Sequence, residues 1–162
     1  MIRKAIRKDI MQASEVLENV KSHMLREGID QWDQEYPNNI VLNQDIDEGQ
    51  AYIYEEHGVV LAYMALNEKC DEEYNDLNWH TNIPFLVIHR LYVKPTAQGS
   101  GISSKMIRYA EQYAHEHKYQ SIRFDAFSLN ETANAVYLKK GYNLVGTVCF
   151  RKGVFNCYEK SI

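Results

Sequence analysis

Residues 83–93 read IPFLVIHRLYV, and nearly every position is apolar. A half-exposed strand alternates apolar and polar residues, because its side chains point to opposite faces in turn. A run without that alternation has to be covered on both faces, so this segment reads as a central strand. The chain then turns at Pro95, passes Gly99 and Gly101, and continues as ISSKMIRYAEQYA. There Ile102, Met106, Tyr109, Ala110 and Tyr113 fall on one helix face. A central strand, bare backbone and a helix start in that order form a cradle for an anion. The first N–H groups of a helix have no partner within it, the dipole favours negative charge there, and glycine removes the Cβ obstruction. The same loop also serves as a plain strand-to-helix turn.

The rest of the chain supplies the covering layers. IRKAIRKD alternates apolar and basic residues and reads as a first strand, with Asp9 as N-cap of the first helix. Ile10, Ala13, Leu17, Val20 and Met24 then make one helical stripe that Gly28 ends. IDQWDQEYPNN is a loop, and NIVLNQDIDEG a second, shorter helix stopped at Gly49. AYIYEE and VVLAYMAL flank HG as a hairpin. NEKCDEEYNDLNWHTN is a polar loop before the central strand. After the cradle come a strand, SIRFDAF, and a helix, NETANAVYLKK, closed by Gly141. YNLVGTVCF and VFNCYEK, joined by RKG, form a last hairpin. The order β-α-α-β-β-β-α-β-α-β-β predicts an α/β (α+β) fold: a mixed, twisted central sheet of six or seven strands and about four helices. At 162 residues it fits a single domain spanning 1–162.

Composition narrows the function classes. A net charge of −4 argues against nucleic acid as the main partner. The longest apolar run, residues 83–88, is far too short to span a membrane, and residues 1–12 have no apolar core of a signal peptide. A cytoplasmic protein is expected. Cys70, Cys149 and Cys157 suggest no disulfide framework and include no metal-type pair. His115 and His117 lie two apart, off a common helix face, so no metal site is expected.

The loop has neither GxxxxGK[ST] nor GxGxxG, which sets aside the Walker and dinucleotide cradles. Val93-Lys94-Pro95 followed by Gln98-Gly99-Ser100-Gly101-Ile102-Ser103 instead resembles the acetyl-CoA loop of the GNAT superfamily of N-acetyltransferases, Q/R-x-x-G-x-G/A after V-x-P. Ser103 departs from that pattern, where the family has glycine or alanine; serine is small and can itself donate a hydrogen bond. About thirty residues downstream, NETANAVYLKKGY matches the family's N-x-x-A-x-x-x-Y-x-x-x-G-F/Y. Asn130 and Tyr137, seven apart with Asn134 between them, lie close to one helix face. Read without the family, Ala133, Val136 and Tyr137 are equally core contacts and Asn130 a cap.

The resemblance implies an N-acetyltransferase in which an amine attacks the thioester of acetyl-CoA directly, with acetyl-CoA as cosubstrate and no metal. It implies that pantetheine pairs with the backbone of Leu91, Tyr92 and Val93, and that the Leu91 N–H stabilises the oxyanion. Gln98, Gly99, Ser100, Gly101, Ile102, Ser103 and Ser104 would hold the pyrophosphate. Asn130 and Asn134 would contact the CoA arm, and Tyr137 would protonate the leaving thiolate. His89, beside the thioester segment, is the candidate base, since imidazole titrates near neutrality. In a regular strand it shares a face with Leu91 while Arg90 points away. Glu68 and Asp125 are the alternatives.

Trp32 and Tyr36 are candidates for the acceptor pocket or, equally, aromatics that cap the core. Glu68, Asp71, Glu72, Glu73 and Asp76 form an acidic stretch that suits a cationic amine or simply a solvated loop. The acceptor is a small-molecule or peptide amine. A homodimer joined through the C-terminal hairpin also fits family habit. The competing reading is a non-catalytic acyl-CoA sensor or scaffold on the same fold.

Overall fold

A computed structural model describes residues 1–162. Seven strands and four α-helices follow one another as β1 (Ile2–Lys4), α1 (Ile10–Arg26), α2 (Asn39–Asp47), β2 (Ala51–Glu56), β3 (Val59–Asn67), β4 (Phe85–Val93), α3 (Ile102–Glu116), β5 (Ser121–Phe127), α4 (Glu131–Lys139), β6 (Asn143–Phe150) and β7 (Gly153–Ser161). This is the element order that the sequence predicts, with three short 3₁₀ turns added. The sheet order is β1-β2-β3-β4-β5-β7-β6. No helix is long and apolar enough to cross a membrane. The chain gathers into two compact units, residues 1–66 with 89–110, and residues 67–88 with 111–162.

In the first unit the stripe on α1 buries Ala13, Val16, Leu17 and Val20 with Leu42 and Ile46 of α2 and Ile53, Val60 and Tyr63 of the hairpin. Ile10, Met24 and Trp32 pack against that core from its margin. α2 starts where Asn38 accepts from the N–H groups of Ile40 and Val41, so its cap satisfies donors the helix cannot. The β2–β3 turn needs positive φ at both central residues, and His57 (52°) and Gly58 (79°) supply it. β1 is shorter than IRKAIRKD suggested. Asp9 also does not cap α1 through its side chain. Its buried carboxylate instead accepts from both Arg3 Nη atoms and from the Ile6 N–H. Arg3 holds it below the usual carboxylate range, against the effect of burial.

In the second unit β5 runs parallel to the start of β4, with Phe85 opposite Ser121, and antiparallel to β7. Phe124 is the centre of an aromatic cluster, with the rings of Tyr137, Tyr142 and Tyr158 at 4.5, 4.8 and 5.6 Å. The polar loop before β4 is more anchored than its composition implies. Tyr74 is buried in it. Arg123 stacks between Trp79 (4.5 Å) and Phe85 (4.1 Å) and pairs with Glu159. Glu159 also accepts the N–H groups of His80 and Thr81.

Candidate functional site

The cradle lies in the first unit. After β4, residues 95–97 make a 3₁₀ turn, and Gly99 and Gly101 take φ of 80° and 82°. L-residues avoid that region, which explains why glycine stands at both positions. A Cβ at either would meet no atom within 4 Å, so the space in front of this backbone is open. The Gly101 carbonyl accepts from the Lys105 N–H, the bond that begins the α3 ladder. The N–H groups of Ile102, Ser103 and Ser104 therefore precede the ladder. The first turn of α3 carries no acidic residue to compete for them. Lys105 is anchored close by, its Nζ 3.2 Å from the Tyr54 hydroxyl. Gln98, the first residue of the motif, turns its amide back to the Val93 carbonyl at 3.1 Å, and Ser100 donates to the Ala97 carbonyl. These two side chains are engaged with main-chain carbonyls of the same segment. N–H groups at a helix start, with open space before the loop and no acid in the first turn, are chemically suited to an anion.

β4 is not regular beside the predicted thioester segment. Arg90 has φ of 52°, inside the left-handed region. The alternation of faces expected for His89, Arg90 and Leu91 therefore does not hold, and all three are half-buried. Tyr92 and Val93 beyond them are buried. The Tyr92 hydroxyl reaches the Ala13 carbonyl at 2.9 Å, and its ring stacks on Tyr63 at 5.2 Å.

The second unit holds the α4 residues. Asn130 is the N-cap of α4, its Oδ1 accepting from the Ala133 N–H at 3.2 Å. Asn134 is buried and engaged on every side. Its amide donates to the carbonyls of Phe127 and Asn130, and its oxygen accepts from Asn156 and Tyr158. With both amide protons and both lone-pair directions in use, this side chain orders α4 against β7. Tyr137 sits edge-on to Phe124. Burial, with Asp125 and Tyr158 nearby, pushes its phenol up to about 12. The Asp125 carboxyl is pushed up to about 6 by burial, although the Tyr74 hydroxyl bonded to it at 2.6 Å works the other way. Glu68 is exposed and accepts the Tyr119 hydroxyl at 2.7 Å.

Of the acceptor candidates, Trp32 meets Tyr92 edge-on at 6.2 Å, which is the core-capping arrangement. Tyr36 is 44% exposed, and its hydroxyl accepts from Arg90 Nη1 at 2.8 Å. Asp71, Glu72, Glu73 and Asp76 are exposed. Sequence reasoning missed an ion pair between Arg90 and Asp45. The signal for it was weak: a lone arginine within an apolar strand. No group of three His, Cys, Asp or Glu gathers at metal-binding distance.

A family model described as acetyltransferase (GNAT) family matches residues 16–142. Among solved structures, a GNAT-family acetyltransferase from Streptococcus agalactiae superposes with a TM-score of 0.87 at 27% identity, covering 100% of this chain and 95% of its own. One from Listeria monocytogenes gives 0.80 at 24%, covering 100% and 94%. The ribosomal-protein-S18-alanine N-acetyltransferase of Escherichia coli gives 0.71 at 11%, covering 100% and 93%, a likeness of fold alone. No curated protein matches.

Proposed function

The chain belongs to the acetyltransferase (GNAT) family, and on that premise we propose that it transfers an acetyl group from acetyl-CoA to a primary amine by direct attack. The observation that carries this reading is the cradle: Gly99 and Gly101 at positive φ with open space before them, at the start of α3. In the proposal, main-chain N–H groups over residues 99–104 hold the pyrophosphate, and residues 91–93 pair with pantetheine. The Leu91 N–H is assigned to the thioester carbonyl, where negative charge develops as the amine attacks. Asn130 is assigned to the CoA arm, and Asn134 to holding the helix that carries it.

Tyr137 serves the departing thiolate. A phenol raised to about 12 keeps its proton at any working pH. Complete transfer to a thiolate, whose thiol has a pKa of roughly 8.5, would run uphill by about 5 kcal/mol. Tyr137 therefore acts chiefly by donating a hydrogen bond to sulfur as charge builds, and the proton moves fully only if bound substrate lowers the phenol. The attacking amine must shed a proton, because an ammonium has no lone pair. His89 is assigned that role, with Asp125, whose carboxyl is pushed up to about 6 by burial, as the competing base. A pH profile of kcat/KM separates the two, since His89→Gln removes the acid limb in the first case and Asp125→Asn in the second.

The test is a thermal shift with acetyl-CoA followed by a thiol-release screen over an amine library. Stabilisation with turnover on one amine class supports the proposal and names the acceptor class. Stabilisation without turnover on any amine favours the sensor reading. No stabilisation at acetyl-CoA concentrations in the millimolar range overturns the cradle assignment.

A further inference from the structure

Arg90 carries a conformation that a strand residue other than glycine rarely adopts, with φ of 52° in the middle of β4. Such backbone strain persists only where the surroundings over-determine it. Here the surroundings are specific. The guanidinium clasps Asp45 of α2 with both teeth of its fork, Nε to Oδ2 at 2.9 Å and Nη2 to Oδ1 at 2.6 Å. Nη1 reaches the Tyr36 hydroxyl at 2.8 Å. Asp45 in turn accepts the Tyr63 hydroxyl at 2.8 Å. Both side chains of the ion pair are nearly sealed from solvent, at 7% and 5% exposure. Burial alone would lower the arginine's proton affinity, but Tyr36 and Asp45 outweigh it and hold the charge in place. A pair this buried is a poor source of stability, because desolvation consumes most of the attraction; its attested use is to fix one arrangement over others.

The arrangement fixed here has a chemical consequence. The peptide plane between residues 90 and 91 turns with the backbone angles of Arg90, and that plane carries the Leu91 N–H. We infer that Arg90 and Asp45 are positioning residues: their buried ion pair locks the left-handed turn in β4 and thereby aims the Leu91 N–H. This rests on the proposed assignment of that N–H to the thioester carbonyl. Tyr36 ties the loop between α1 and α2 to the same clasp. Replacing Arg90 by lysine would keep the charge and lose the fork, so the pair is not interchangeable with a simple salt bridge.

Two variants test this, with Arg90→Lys as a third for comparison. Asp45→Asn keeps shape and removes the charge. Arg90→Gly keeps access to positive φ and removes the anchor. The first readout is the crystal structure of Asp45→Asn and needs no activity: the 90–91 peptide is expected to rotate out of its present orientation. An unchanged peptide overturns the lock, whatever the enzyme does. The second readout is steady-state kinetics on the amine found in the thiol-release screen, beside a direct titration with CoA. The expected kcat falls about 10- to 100-fold in both variants, with the CoA dissociation constant within about twofold of the parent. Arg90→Lys should recover less than half of the loss. Folded variants with parental kcat overturn the positioning role. A rotated peptide in Asp45→Asn, with a parent protein that binds no CoA, refutes the assignment of function and leaves the lock established, so the two failures are distinguishable.

Discussion

Gly101→Asp separates what the cradle does for the fold from what it does for a ligand. Two effects on the folded protein nearly cancel. A side chain at φ of 82° costs about 1–2 kcal/mol, at the low end for Asp, which tolerates this region. A carboxylate at a helix N-terminus returns about 0.3–1 kcal/mol. Sterics add nothing, because the new Cβ meets no atom within 4 Å. Stability without ligand should therefore stay within about 1 kcal/mol of the parent. Binding behaves differently. Unit charges 4 Å apart repel by about 4 kcal/mol at an effective dielectric of 20 and about 1 kcal/mol in water. An intermediate value near 2 kcal/mol weakens CoA about 30-fold. Gly101→Asn has the same shape and backbone cost without the charge, so the Asp-minus-Asn difference isolates electrostatics. Calorimetric titration with CoA at about 50 and 300 mM salt provides the assay, and the difference should shrink at high salt. Equal affinity of the Asp and Asn variants would show that no phosphate approaches this backbone, and the cradle would be refuted.

Tyr137→Phe should lower kcat by about 100-fold and leave CoA affinity within twofold, since the ring contact to Phe124 survives; a loss of affinity with kcat intact would assign Tyr137 to packing. Asp125 makes stability depend on pH. Its folded-state value of about 6 lies above the ordinary 3.8, so the native state binds the extra proton between them and the protein loses stability as pH rises through that window. Asp125→Asn removes this loss, and its advantage in urea melts should grow by about 3 kcal/mol from pH 3.5 to pH 7; an advantage independent of pH contradicts the burial cost. Asn134→Ala should destabilise by about 2–3 kcal/mol in the same melts, because it strands the Tyr158 hydroxyl and the Asn156 amide, while the carbonyls of Phe127 and Asn130 keep the N–H groups of Asn130 and Asn134. A change under about 1 kcal/mol would mean that water replaces those partners.

Local rules set much of this protein. Periodicity gave the stripe on α1 and the covered strand β4, because apolar burial follows the repeat of the backbone. Glycines and caps gave the ends of α1, α2 and α4, because positive φ and unpaired N–H groups are satisfied locally. The proposed cradle was legible for the same reason: its glycines and helix start lie in consecutive residues, 98–104. Other features depend on which partners the folded chain brings to a side chain. Asp9 looked like a helix cap, but Arg3 and the Ile6 N–H took its carboxylate. Asn134 looked like a ligand contact, but α4 and β7 close around it and use all its bonding capacity. The 67–82 segment looked solvated, yet Tyr74 and Trp79 tie it to β5. Above all, an unbroken run of strand-forming residues gave no sign that β4 turns left-handed at Arg90. Nothing in residues 83–93 requires that turn. It is held by Asp45 and Tyr36, which lie 45 and 54 residues away, and a conformation maintained by such partners exists only once the chain has brought them together. Neighbouring residues were enough to specify where the backbone is bare at a helix start, which is what the proposed cradle needs. How the adjoining strand presents its N–H was settled only by folding, because long-range contacts alone can hold a residue where its own preferences would not put it.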